Sequence, residues 1–150
     1  MSTNQLERHE TLLVKNGLKK TGARLRVLDI LSASDAASSQ PDIEHIVGKE
    51  IDRVTLYRIL KTFEEKGIIH RIIDNQGTAN YAFCHEDCSE HAHHDEHLHF
   101  NCSNCQKVYC IEHAHLPQFK LNLPKGFSLQ QLSFIATGLC AACSEKQKQS

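Results

Sequence analysis

The sequence predicts an α+β chain of two units, helices first and short strands after, on three observations. Apolar residues recur at helical spacing from Leu6 to Phe63, a β-branched run with a turn follows, and two Cys-x2-Cys pairs occupy the last third. The 150 residues, 40% hydrophobic and 23% charged, suit one ordinary domain or two small ones and exclude a large multidomain enzyme.

Residues 5–16 read as a first helix, with Leu6, Leu12 and Leu13 apolar and Gly17 just past its end. A second starts at Thr21, a suitable N-cap, and places Leu25, Leu28 and Leu31 on one stripe. Residues 32–39 are small and polar, a loop. Pro41 suits the first turn of a short third helix reaching about Val47. A fourth begins at Asp52 or Val54 and runs to about Lys66, with Leu56, Ile59, Leu60 and Phe63 inward and Gly67 as its stop. The run Ile68 to Ile73, a turn over residues 75–78 and Tyr81-Ala82-Phe83 then predict a β-hairpin. Helices followed by a hairpin are the winged form of a helix-turn-helix, in which the fourth helix would enter a major groove.

Beyond Phe83 the composition turns to His, Cys and acids. The predicted division is a winged-helix unit over 1–83, a His/Cys-rich hinge or loop over 84–96, and a second unit over 97–150. Short strands are expected near residues 97–101, 108–111 and 129–135. Pro117, Pro124 and Gly126 leave room for only a short helix, and residues 144–150 read as a frayed polar tail.

Lys plus Arg number 17 against 18 acids, so bulk charge draws the chain to no polyelectrolyte. Locally, Lys15, Lys19, Lys20, Arg24 and Arg26 fall within twelve positions that hold no acid, a patch able to meet phosphate. The first ten residues lack an apolar signal core, and no run approaches the roughly 18 apolar residues that span a bilayer. A cytoplasmic protein without a membrane partner is expected. In a reducing compartment, seven cysteines at short spacings favour metal ligation over disulfides.

Cys102-x2-Cys105 and Cys140-x2-Cys143 are two thiolate pairs 34 residues apart, each able to form a knuckle that points both sulfurs at one ion. Four thiolates close a tetrahedral zinc site and leave no coordination position open, so this ion should staple the second unit rather than perform chemistry. His70 on the wing, Cys84 at the hairpin's end and the alternating His97 and His99 could form a second site. Three imidazoles and a thiolate suit tetrahedral Zn²⁺ better than Fe²⁺ or Mn²⁺, which favour more carboxylate.

The motifs together resemble the ferric uptake regulator family of dimeric, metal-responsive repressors. They are Leu18-Lys19-Lys20-Thr21-Gly22-Ala23-Arg24, Val54-Thr55-Leu56-Tyr57-Arg58-Ile59-Leu60, Gly67-Ile68-Ile69-His70-Arg71, His97-Leu98-His99-Phe100-Asn101-Cys102-Ser103-Asn104-Cys105 and Gly138-Leu139-Cys140-Ala141-Ala142-Cys143. The resemblance covers nearly the whole chain and is strongest toward the zinc uptake branch. It implies an N-terminal winged helix-turn-helix domain and a small α/β dimerisation domain with the four-cysteine zinc site. It also implies a sensing set of His70, Cys84, His97 and His99, hence one structural and one regulatory Zn²⁺ per chain. Iron and peroxide sensors of the family usually carry a His before the third helix and carboxylates after the wing and the knuckle, where the nearest residues here are Ala37, Ala82 and Cys110. Cys110 remains an alternative ligand, or a member of an accessory site with Cys88, His113 and His115.

For DNA, the resemblance places Thr55, Tyr57 and Arg58 on the groove side of the fourth helix, while Lys15, Lys19, Lys20 and Arg24 meet phosphates. The implied function is a zinc-responsive repressor, not an enzyme, whose homodimer binds a pseudo-palindromic double-stranded operator when the sensing site is filled. Iron, manganese or peroxide sensing is the nearest alternative. More distant are a zinc buffer or chaperone built on the His-rich loop, and a zinc hydrolase; a deaminase would need H-x-E before P-C-x-x-C, and no Pro directly precedes Cys102.

Overall fold

The computed structural model describes residues 2–83, 98–111, 120–130 and 132–150. Four short polar side chains set the first four helix starts, because each accepts a backbone hydrogen bond that the first turn leaves without a partner. Ser2 caps α1 (Thr3–Lys15), Thr21 caps α2 (Gly22–Ser32), Ser39 caps α3 (Gln40–Val47) and Asp52 caps α4 (Arg53–Glu65). At α3 the cap is reciprocal: the Asp42 carboxylate accepts from the Ser39 backbone N–H, and Pro41 occupies the first turn.

The stops are equally local. Gly67 has φ +72°, which lets the Ile68 N–H reach back to the Phe63 carbonyl at 2.8 Å and stops α4 three residues before the next strand. Gly48, at φ +56° and ψ −123°, makes the turn from α3 toward α4 in a region that side chains exclude. The helices enclose one core in which Leu13, Leu28, Ile43, Leu56, Leu60 and Phe63 are inaccessible to water. His9 is also buried there. Its Nε2 lies 3.2 Å from the Ser32 hydroxyl and its ring stands edge-on to Phe83; burial holds its pKa down, with Asp29 opposing.

The wing follows as β2 (Ile69–Ile73) and β3 (Ala79–Phe83), antiparallel, with Ile69 opposite Phe83 and His70 opposite Ala82. Its turn is fixed by the Asp74 carboxylate, which accepts the N–H groups of Gln76 and Thr78 at 2.9 Å each. The expected loop before α3 contains one further piece, β1 (Ser38–Ser39), which pairs with β3 to give the sheet order β1-β3-β2.

The second sheet has the order β5-β4-β6, formed by β4 (Leu98–Cys102), β5 (Val108–Ile111) and β6 (Phe134–Gly138). β4 and β5 are antiparallel; β4 and β6 are parallel, with Cys102 opposite Gly138. Two expectations are corrected here. The last strand lies at Phe134–Gly138 rather than 129–135, because its register is set by parallel pairing to β4 and not by its own apolar run. The tail is helical: α5 (Ala141–Lys148) starts on Cys140 and continues through Glu, Lys and Gln, all good helix formers. The expected hinge over 84–96 lies outside the described residues.

The two sheets touch. The Ala37 N–H donates to the Val108 carbonyl at 2.7 Å, and Ile72, Ala82 and Val108 form a small buried cluster against Ala37 and Cys110.

Candidate metal centre and nucleic-acid face

The two Cys-x2-Cys pairs come from opposite sides of the second unit. Cys102 ends β4, Cys105 lies in the turn to β5, Cys140 precedes α5 and Cys143 is in its first turn. The turn between β4 and β5 is sharp because Gln106 takes φ +63° and its N–H returns to the Cys102 carbonyl at 3.0 Å. The four sulfurs all fall within 4.8 Å of one another, and Cys102, Cys140 and Cys143 are buried. Sulfurs held about 2.3 Å from a tetrahedral ion stand roughly 3.8 Å apart, and the Cys105–Cys140 separation is 3.8 Å.

The surroundings favour ionised sulfur at some positions and oppose it at others. The amides of Cys105 and Cys140 bring the Cys102 thiol down to about 6, and the Cys140 N–H donates to that sulfur at 3.3 Å. The Cys143 amide lowers Cys140 in the same way, against burial. At Cys105 the Lys107 amide pulls downward, but burial and the other three sulfurs prevail and raise the thiol to about 11. Burial and the Cys140 sulfur push the Tyr109 hydroxyl up to about 12. Backbone N–H groups aimed at Cys102 and Cys140 favour their thiolates, the form that ligates a metal. Asn104 adds a further donor, from Nδ2 to Cys143 Sγ at 3.3 Å. The residues fit a closed zinc site.

Among the described residues these cysteines are the only group of three or more metal-ligating side chains within reach of one another. Of the expected sensing set, His70 lies half-buried on β2 and His99 is buried on β4, where Cys110 of β5 is its directly opposed residue. Cys84 and His97, with Cys88, His113 and His115, lie outside the described residues.

On α4, Leu56, Ile59, Leu60 and Phe63 face the core, while Tyr57 (52% exposed), Arg58 and Lys61 face outward with Val54. The Thr55 hydroxyl is engaged locally, donating to the Asp52 carboxylate at 2.6 Å. Lys15 and Lys19 are exposed, Lys20 pairs with Glu10 at 2.9 Å, and Arg24 donates to the Lys19 carbonyl at 2.9 Å. No helix among the described residues is long and apolar enough to cross a membrane.

A winged helix with an exposed cationic helix face, joined to a strand unit whose four clustered thiols could hold a metal, is the architecture of a metal-dependent regulator. Residues 15–136 match the ferric uptake regulator family, and the chain belongs to it; the protein is a transcriptional regulator and not an enzyme. It is 30% identical over 135 residues to the ferric uptake regulation protein of Bordetella parapertussis, covering 86% of this chain and 91% of that one. It is 29% identical over 145 residues to the zinc uptake regulation protein of Escherichia coli, covering 93% and 81%. In fold it is similar to a zinc uptake regulator solved with zinc and DNA, at a TM-score of 0.69 and 23% identity over 99% of each chain. Relatives named for iron and for zinc match at nearly equal identity, so the donor atoms must decide the metal.

Proposed function

We propose that the chain is a cytoplasmic, zinc-responsive repressor whose homodimer binds a pseudo-palindromic operator when a second, regulatory zinc site is filled. The observation that carries the reading is the register around the two described histidines. His99 is opposed by a thiol, Cys110, and His70 by Ala82, so neither has a carboxylate directly across its ladder. Nitrogen and sulfur donors suit Zn²⁺, whereas Fe²⁺ and Mn²⁺ favour oxygen.

His70, Cys84, His97 and His99 would hold the regulatory ion, with Cys110 as the neighbouring thiol able to replace one of them. An ion held by such a set supplies a crosslink and no hydrolytic chemistry. His70 contributes the wing, Cys84 the hinge and the two other histidines the second sheet. Holding the wing and the second sheet together selects one placement of α4 relative to the strand unit. A preference of roughly 5 kcal/mol moves such an equilibrium from mostly open to mostly closed. Two protomers then present two α4 helices to half-sites about one helical turn apart.

On each helix, Arg58 and Tyr57 would meet base edges or phosphates, and Lys15, Lys19, Lys20 and Arg24 the backbone. Lys20 would exchange Glu10 for a phosphate oxygen. Such contacts position the domain and make binding salt-dependent.

The test is a duplex selected from a random pool by the zinc-loaded protein, bound at fixed salt while the apo dimer is titrated separately with Zn²⁺, Fe²⁺ and Mn²⁺. Zinc alone should promote binding at submicromolar free metal. Equal promotion by iron or manganese would remove the zinc assignment, and failure of the zinc-loaded protein to select any duplex would remove the zinc-dependent repressor reading. On the same duplex, Arg58→Ala should weaken binding by about 5- to 100-fold, the range expected for a base contact. Zinc content should stay at two per chain. Unaltered affinity would take α4 out of the groove.

A further inference from the structure

The tip of the wing is exposed, yet its turn residues Asn75 and Gln76 make side-chain hydrogen bonds to the second sheet. Asn101, buried on β4, donates from Nδ2 to Asn75 Oδ1 at 3.1 Å, and Asn75 donates from Nδ2 to Thr137 Oγ1 on β6 at 3.4 Å. The next residue of the turn, Gln76, donates to Gln106 Oε1 at 3.5 Å, in the knuckle between Cys102 and β5. Behind these polar contacts lies the Ala37–Val108 hydrogen bond and its small dry cluster. The Asp74 carboxylate already holds the turn in shape, through two backbone N–H groups and through Asn80 Nδ2 at 3.1 Å. Asn75 is therefore presented by a preformed turn, and docking it freezes little additional chain.

We propose that the wing tip is a clasp on the second sheet and not a DNA-contacting loop, with Asn75 as the positioning residue that fixes where α4 stands relative to the strand unit. The partner residues make this more than a chance contact. His99 and Asn101 are two apart on β4 and share one of its faces, so the strand that carries a candidate sensing imidazole also holds the wing tip. Gln106 belongs to the turn that the four-thiol site shapes. A change at either place is thus transmitted to the wing through β4 or its turn, without passing through the hinge. The clasp rests on the regulator reading for its consequence at α4, but its geometry stands apart from that reading.

The test is amide hydrogen exchange in the zinc-loaded, full-length, ¹⁵N-labelled protein without DNA. The Ala37 N–H reports docking of the two sheets, and the Leu60 N–H, inside α4, reports the integrity of the helical unit. Asn75→Ala removes two hydrogen bonds and should accelerate exchange at Ala37 by about tenfold or more, with Leu60 and zinc content unchanged. Thr137→Val, which removes only the longer bond, should do the same to a smaller degree. Unchanged Ala37 protection in both variants overturns the clasp. If Asn75→Ala instead alters affinity for the selected duplex while Ala37 exchange stays put, the tip is a DNA contact and the proposal is wrong. Because exchange is read without DNA, a zinc-loaded protein that selects no duplex would sink the zinc-dependent repressor reading and leave this result interpretable.

Discussion

Cys102→Ala is expected to lose one of two bound zinc equivalents, unfold the second unit and dissociate the dimer. The strand unit is small, and its cysteine cluster replaces part of the apolar core that a larger domain would have. Among the described residues its fully buried apolar side chains are few, while Leu121, Phe127, Leu129 and Ile135 are exposed in the single chain. Closing a structural zinc site is worth about 10 kcal/mol or more in small zinc domains. That is comparable with the entire stability of an ordinary domain. Removing Cys102 also takes away the sulfur that accepts the Cys140 N–H and fixes the start of α5. Metal analysis, sedimentation and thermal unfolding check the outcome; a dimer that melts within about 2 °C of the parent while holding one zinc fewer would show that the thiols staple nothing.

His99→Ala should have the opposite profile: a folded dimer that keeps its structural zinc and has lost zinc-dependent DNA binding, by at least about 100-fold, or roughly 2.7 kcal/mol. His99 is only 7% exposed, so some loss of stability from the space left behind accompanies the substitution. His70→Ala separates the two effects. That residue lies on β2 of the other sheet, half-buried, where truncation disturbs less packing. If one ion joins the two histidines, both variants lose the zinc response equally and each binds one zinc. A His70 variant with an intact response would take the wing out of the sensing set, leaving His99 with Cys110 as the core of a site confined to the second unit.

The helical unit was legible residue by residue because its determinants are local. Thr21, Asp52 and Gly67 each act within one turn of their own position, and the apolar spacing of α2 and α4 reports the side that must be buried. The four-thiol centre was legible for a related reason: Cys-x2-Cys is a local geometry, and two such pairs in one chain leave little else to build. The second unit was harder to read. Leu129, Leu132, Phe134 and Ile135 suggest a strand over 129–135, yet the strand lies at Phe134–Gly138, where the backbone can pair in parallel with β4. Residues 144–150 looked like a tail because all of them are polar, and the start of α5 is anchored on Cys140 by the cysteine cluster rather than by an apolar face of its own.

By itself, then, the order of residues determined the first four helices, that a wing follows them, and that two Cys-x2-Cys knuckles lie in the last third. Each of those outcomes is decided by neighbours within a few positions, through capping, periodicity or knuckle spacing. Only the tertiary structure decided that β1 joins the wing, that Cys110 stands opposite His99, and that Asn75 is held by Asn101 and Thr137. Those contacts join residues 11 to 62 positions apart, and no local preference records a partner at that distance. It is set by how two sheets pack once each has formed.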